Sequence, residues 1–318
     1  MTPNTSFSKN MALNLVLVIE PGPLEWQVEY LLRSVRRYGQ IPEATLWVVS
    51  PRNKSLRPAS YTFLEAQEIN YVEADLNPTW GFHPLSNKVF AACYVEERVD
   101  GPLLFLDSDI LVFGSLQSLA VEPGIVRVKP AHNSFAAAHD YTDDFWYPLF
   151  KQFAISPGQT WTSVATGEVE PTLAYYNTGV IAAHSRDRLF RRWAESYEKL
   201  PALLPSLFDE LQGFEHLPPY HRKTRRQKQL YHIGQILFAL TLFAHYSPAQ
   251  IEPLPVSYNY PLPKHAQLGR QRLDSLDKIT LLHYHRELRD PFWFTRFEVS
   301  PARLKWLITT LYGEHADN

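Results

Sequence analysis

Two carboxylates one residue apart, Asp107 and Asp109, interrupt an otherwise apolar stretch that runs from residue 103 to residue 113. Leu103, Leu104, Phe105 and Leu106 lead into them, and Ile110, Leu111, Val112 and Phe113 follow. A run of this kind, entered through Gly101-Pro102, reads as a strand buried on both faces. An unpaired carboxylate is strongly disfavoured inside such a strand. The acids therefore belong where the strand ends and opens onto a crevice, which is where open α/β sheets bind ligands. Two carboxylates this close repel unless a cation or a shared proton relieves them. The economical solution is a divalent ion with oxygen ligands, Mg²⁺ or Mn²⁺, bridging a substrate phosphate. An isolated Asp-Ser-Asp is more often a surface turn or a helix cap. The apolar flanks and three later stretches weigh against that reading.

Those stretches are each weak alone. Asn177-Thr178-Gly179 closes an apolar run and suggests a tight backbone turn beside a ligand, although an ordinary bulge has the same signature. Gln235 is a polar residue in an apolar helical pattern, placed either at a site or on an exposed face. His283-Tyr284-His285 follows Ile279-Thr280-Leu281-Leu282 and puts two imidazoles at a strand end, suited to a metal ligand and a phosphate contact. One dense basic run, from His221 to Lys228, reads as a solvated loop or as a loop facing a phosphate or an acceptor.

The elements that must position these groups alternate in type. Residues 13–19 are predicted as a strand, 24–38 as a helix stopped by Gly39, and 44–49 as a second strand. Strand, helix, strand within about forty residues is a βαβ unit, which favours a parallel sheet with right-handed crossovers. A short helix over 63–68, a strand over 70–73 and a helix over 85–99 with Lys88 in its first turn precede the strand at 103–106. Residues 124–129 read as an edge strand, and 173–183 as a strand interrupted at Asn177. Residues 186–200 and 230–245 read as helices and 278–285 as the last strand. The segment 132–170 has no clear period and exceeds a normal connection, so it either hides short helices or covers the site. Asp143, Asp144, Glu168 and Glu170 within or beside it are available as bases. No clean linker divides the chain, so a single domain with insertions is expected.

Composition sets outer bounds. The chain has 318 residues, 45% of them hydrophobic and 20% charged, and a formal net charge of −2. That is ordinary for a globular protein, and no global basic field argues for nucleic acid. The single cysteine, Cys93, allows no intramolecular disulfide and fits a reducing compartment. No apolar run reaches membrane-spanning length, and no cleavage site follows the first apolar run. The expectation is a cytoplasmic protein without a transmembrane segment.

The ordered set of βαβ units, Lys88, Asp107-Ser108-Asp109, Tyr176-Asn177-Thr178-Gly179, Gln235, Tyr258-Asn259 and Leu282-His283-Tyr284 resembles the GT-A glycosyltransferases. It is most similar to the glycogenin and lipopolysaccharide galactosyltransferase branch, over roughly residues 13–290. The resemblance implies an α/β, Rossmann-like GT-A fold whose mostly parallel central sheet is flanked by helices. Residues 13–130 would form its nucleotide-binding half, 131–290 its donor-sugar and acceptor half, and 291–318 a tail helix. It implies a metal-dependent transferase moving a sugar from a nucleotide-diphosphate sugar to an unidentified acceptor: a glycan, a lipid-linked species or a small molecule.

Residue by residue, the resemblance gives Asp107 to the ribose and the metal, Asp109 to Mn²⁺ or Mg²⁺, and His283 to the same ion. Lys88 and Ser108 would contact the donor, Glu20 would lie beside the nucleobase and His285 would meet the diphosphate. Asn177 would sit near the donor sugar, and Gln235 near the reacting sugar carbon. Two departures stand out. Gly234 occupies the place of an acid before the glutamine, and His285 and Arg286 replace a Gly and a Lys after the late histidine. Gly234 favours a non-catalytic nucleotide-sugar or glycan binder as one alternative. A haloacid-dehalogenase-type phosphohydrolase is another, though its DxD normally lies near the N-terminus with Thr or Val where Leu111 stands here.

Overall fold

The computed structural model describes residues 12–131, 135–166, 168, 170–213, 222–290 and 292–313. The first half winds as βαβ units: β1 (Asn14–Val18), α1 (Pro23–Tyr38), β2 (Thr45–Ser50), α2 (Pro58–Ala66), β3 (Asn70–Glu73), α3 (Asn87–Glu96) and β4 (Pro102–Leu106). β1, β2, β3 and β4 pair in parallel. The sheet is completed by β6 (Val126–Pro130), β9 (Tyr176–His184) and β10 (Ile251–Pro253), in the order β10-β6-β9-β4-β1-β2-β3. β9 runs antiparallel to both of its neighbours. The strand expected at the edge, β6, instead lies inside the sheet between β9 and β10.

The continuous apolar runs of β1 and β4 follow from this position. Val16 and Val18, with Leu103 and Phe105, face one core, shared with α3 and with the helices α5 (Leu189–Leu203) and α8 (Ile233–His245). Leu15 and Leu17, with Leu104 and Leu106, face the opposite core under α1 and α2. A strand buried on two faces needs apolar residues at every position rather than every second one.

The run 103–113 is not one strand. It splits into β4 and β5 (Ile110–Val112), which belong to different sheets, and the acids occupy the break. β5 joins a small sheet with β11 (Tyr260–Pro261) and β12 (Leu281–His283). β12 is antiparallel to β5, with His283 opposite Ile110, and the Tyr284 N–H donates to the Asp109 carbonyl at 3.0 Å. This pairing carries the late histidines to the acids.

Several boundaries differ from the sequence expectation. The residues 173–183 divide into β8 (Pro171–Leu173) and β9, and 230–245 spans the end of α7 (Arg225–Tyr231) and α8, with a break at His232. Arg225 to Lys228 open α7, capped by the Thr224 hydroxyl accepting from the Gln227 N–H, so that part of the basic run is helix rather than loop. His221 lies outside the described residues. The segment from His132 to Glu170, of which residues 132–134, 167 and 169 lie outside the described set, holds α4 (Trp146–Gln152) and β7 (Thr162–Val164), which pairs antiparallel with β8 just beyond the segment. Its Ala136, Ala137, Ala138, Trp146 and Phe150 are buried in the core, so much of it is packed structure. α6 (Pro205–Gln212) follows α5, and in the tail α9 (Pro301–Leu307) continues as a π-helical turn to Tyr312.

β9 passes the end of β4 at Gly179. The Gly179 carbonyl accepts from the Asp107 N–H at 2.8 Å. A β-carbon there would lie 2.9 Å from both Asn177 Oδ1 and Asp107 Oδ2. Only hydrogen fits between these polar atoms. Gly179→Ala is expected to cost about 1–3 kcal/mol, read by chemical denaturation, and to weaken Mn²⁺ binding by displacing the acids. An alanine variant with unchanged stability and metal affinity would show that the approach is not constraining.

Candidate functional site

At the C-terminal ends of β1 and β4 lies a cavity of about 400 Å³. Glu20, Lys88, Asp107, Ser108, Asp109, Asn177, Gln235, His283 and His285 all line it. They come from separate elements and meet only because the parallel strands end together and β12 folds back onto β5.

The two acids are relieved by different partners. Lys88, in the first turn of α3, places Nζ 2.5 Å from Asp107 Oδ1. Asp109 instead faces the histidines, with Oδ1 3.1 Å from His283 Nε2 and Oδ2 3.4 Å from His285 Nδ1. Burial pushes the Asp109 carboxyl upward, but the two imidazoles overcome it and hold it well below the usual carboxylate range. For His283 burial works downward and the adjacent Asp109 charge outweighs it, so its value is raised. His285 is lowered, by burial first and by His283 second. The rings of the pair stack 3.9 Å apart, and His285 adopts a left-handed φ of 52°. A non-glycine residue in that region is uncommon and characteristic of sites where the fold over-determines a side chain.

Asp109, His283 and His285 offer ligand atoms that all lie within 4.8 Å of one another. The shorter separations match neighbouring ligands on one ion, which sit about 3 Å apart when the metal bonds are about 2.1 Å. The residues therefore fit a divalent cation. The cluster differs from the set inferred from sequence: it contains His285, while Asp107 is held by Lys88.

Asn177 Oδ1 accepts from the Gly179 N–H at 2.8 Å and from Asn259 Nδ2 at 2.7 Å. Asn259, buried and at φ 53°, thereby fixes the amide. Ser108 lines the cavity, but its hydroxyl donates to the Val18 carbonyl and ties the acid turn to β1. Glu20 is buried, pairs with Arg52 and accepts from Asn87 Nδ2 at 2.8 Å. Arg52 itself lines the cavity. It stands just past the end of β2, a position that the strand-end rule for open α/β sheets could have singled out. His232 and Tyr231 also line the cavity. Burial, then the Lys88 charge, lowers His232 to about 3, so this imidazole is neutral.

Gln235 sits in the first turn of α8 and is partly exposed to the cavity, whereas Phe238, Ala239 and Leu242 on its face are buried. The hydrogen bonds among the described residues do not engage its side-chain amide. Gly234 before it has a packing cause. A β-carbon there would collide with the hydroxyl of Tyr197 from α5, and the Gly234 carbonyl accepts from Trp193 Nε1 at 3.0 Å. The acidic groups Asp143, Asp144, Glu168 and Glu170 do not line this cavity. Asp143 receives Arg225 and the N–H groups of Phe145 and Trp146 instead.

Residues 15–212 match the model of the Rhodobacterales glycosyltransferase domain. No curated protein sequence matches the chain. Among solved structures, the galactosyltransferase LgtC in complex with donor and acceptor sugar analogues is similar at a TM-score of 0.50 and 13% identity, over 92% of this chain and 98% of that one. Mouse xyloside xylosyltransferase 1 is similar at a TM-score of 0.47 and 14% identity, over 87% and 99%. The bifunctional glycosyltransferase WbbM is similar at 0.46 and 14%, over 87% of this chain but only 46% of its own length, so this chain spans less than half of that protein. With a family model covering more than half of its residues, and with the LgtC fold, the chain belongs to the Rhodobacterales glycosyltransferase domain family and carries a GT-A fold.

Proposed function

We propose that this chain transfers a sugar from a nucleoside-diphosphate sugar to an acceptor, with a divalent cation held at Asp109, His283 and His285. The observation that carries this reading is the convergence of Asp107, Asp109, Lys88, His283, His285, Asn177 and Gln235 in one cavity at the strand ends. The imidazole ligands suit Mn²⁺ better than Mg²⁺, which prefers oxygen donors. When bound, the cation neutralises negative charge on the departing diphosphate.

The remaining work falls to the protein. Lys88 holds Asp107 in place and brings a positive charge to the cavity, where a diphosphate would lie. Arg52, fixed by Glu20 and by the Gly81 carbonyl, lines the same cavity from the β2 end and suits the nucleotide. Asn259 and the Gly179 N–H hold Asn177 toward the sugar. Gln235 offers a neutral amide that can follow charge developing at the anomeric carbon, and an interaction strengthened in the transition state accelerates the reaction. The cavity walls from α3, α8 and Trp193 limit water, which would otherwise compete with the acceptor. The non-catalytic alternative drew on Gly234. Because Tyr197 fills the space an acid would need, the missing acid follows from packing between α5 and α8.

A thermal-shift screen of nucleotide sugars with and without Mn²⁺ tests the proposal, since a ligand that binds only the native state raises apparent stability by mass action. A Mn²⁺-dependent shift is expected for at least one donor; no shift with any donor would refute the reading. Asp109→Asn is expected to weaken Mn²⁺ affinity about a hundredfold or more, measured by calorimetry or electron paramagnetic resonance, with the melting temperature little changed. Gln235→Ala is expected to lower kcat about 10²–10³-fold and to leave the donor Kd within a few fold. If it lowers the melting temperature and leaves kcat per folded molecule intact, Gln235 is a structural amide.

A further inference from the structure

A second, smaller cavity of about 240 Å³ is lined by Phe135, His139, Arg225 and Lys228. It is chemically unlike the donor cavity: among the described residues its lining carries two permanent cations, an imidazole and a 46% exposed phenyl ring, and no carboxylate. The cations are positioned rather than loose. Arg225 Nη2 is anchored 2.5 Å from Asp143 Oδ2 and 3.0 Å from the Ala137 carbonyl. Both bonds leave from one nitrogen, and a guanidinium has five N–H donors in a fixed fork. Lys228 Nζ lies over the Phe135 ring, 4.2 Å from its centroid. Asp140, the acid next to His139, is engaged by the N–H and hydroxyl of Thr142. Arg226, the neighbour on α7, is paired with Glu210 and does not line the cavity.

The two cavities share α7. Lys228 lines the second cavity, and Tyr231, three residues on, lines the first. Residues three apart on a helix are neighbours on one face, about 4.5 Å along the axis. Lys223, whose Nζ lies 5.3 Å from the Tyr231 ring centroid, adds a further cation near this face. The second cavity thus neighbours the donor cavity along α7, on the side of the segment before α4.

We propose that this cavity is a subsite for the acceptor and takes an oxyanion, a phosphate or a carboxylate, carried on the part of the acceptor that extends along α7 from the hydroxyl receiving the donor sugar. The inference rests on the transferase reading of the first cavity, but its binding chemistry can be measured without donor. Arg225 supplies planar donors suited to an oxyanion, Lys228 supplies a point charge, and Phe135 flanks the apolar face of the attached ring.

The test is calorimetric titration of the metal-free protein at low salt with glucose 6-phosphate, glucuronate and glucose. At least one of the two anionic sugars is expected to bind about tenfold or more tightly than glucose, and added NaCl should weaken it. The tighter of the two identifies the oxyanion. Lys228→Gln is expected to lose about tenfold of that affinity, Lys228→Arg to retain it, and Lys88→Gln, in the donor cavity, to leave it in place. The proposal is overturned if neither anion binds, if glucose binds as tightly, or if Lys228→Gln binds like the wild type. It is equally overturned if the loss falls on Lys88→Gln, which would put the anion in the donor cavity. Failure of the donor reading is separate: it is the absence of any Mn²⁺-dependent shift with nucleotide sugars, whatever the anionic sugars do.

Discussion

Two carboxylates one residue apart at the end of a buried strand must each be given a counter-charge, and most of the architecture around them follows from how that is done. Asp107 is met by Lys88 from the helix preceding its own strand, a local solution within one βα unit. Asp109 is met by His283 and His285, which reach it only because β12 pairs with β5. The second solution is expensive in chain entropy, since ordering a distant segment closes a long loop. The small β11-β12-β5 sheet and its own core of Leu111, Phe113, Tyr260, Leu282, Tyr284 and Trp293 offset that cost. The last third of the chain therefore completes the polar centre of the first third.

The division also separates what was readable in the sequence from what was not. The strands of the first half, the break at the acids and the helix carrying Lys88 were legible because each depends on local periodicity or on a local conflict between burial and charge. The sequence pattern predicts the third strand at residues 70–73, where β3 lies. Partner choice was not legible. Nothing near Asp107 announces that Lys88 holds it, or that His285 rather than Asp107 joins the cluster at Asp109; the first is a fact of how α3 packs against its own strand, the second of strand register between segments far apart in sequence. The internal place of β6 and the reversed direction of β9 escaped for the same reason, since a strand's alternation reports which faces are covered and not which neighbours cover its edges. Asn259 was legible only as part of the Tyr258-Asn259 pair in the resemblance, without a role, and Arg52 carried no pattern of its own; both matter because of where strands and turns end.

Two glycines illustrate how packing and chemistry became entangled at this site. Gly179 lets three polar side chains approach: a methyl there would press on Asn177 and Asp107, with Asn259 just beyond. Its small size serves the polar centre directly. Gly234 is also required by a close neighbour, but that neighbour is the ring of Tyr197, a buried residue packed edge-on against Trp80. Here the small residue serves the seam between α5 and α8. The two cases look alike in sequence and differ in cause, so the absence of a carboxylate at 234 says nothing by itself about chemistry. It says that α8 approaches α5 closely enough to replace a side chain with a tyrosine. An acid cannot be restored at 234 without first moving Tyr197, and moving it would open the wall behind Gln235. Any base or counter-charge for the reaction must then come from a different direction, and among the described residues the titratable side chains lining the cavity are those grouped around Asp107 and Asp109, with Tyr231, Glu20 held by Arg52, and His232 kept neutral by burial.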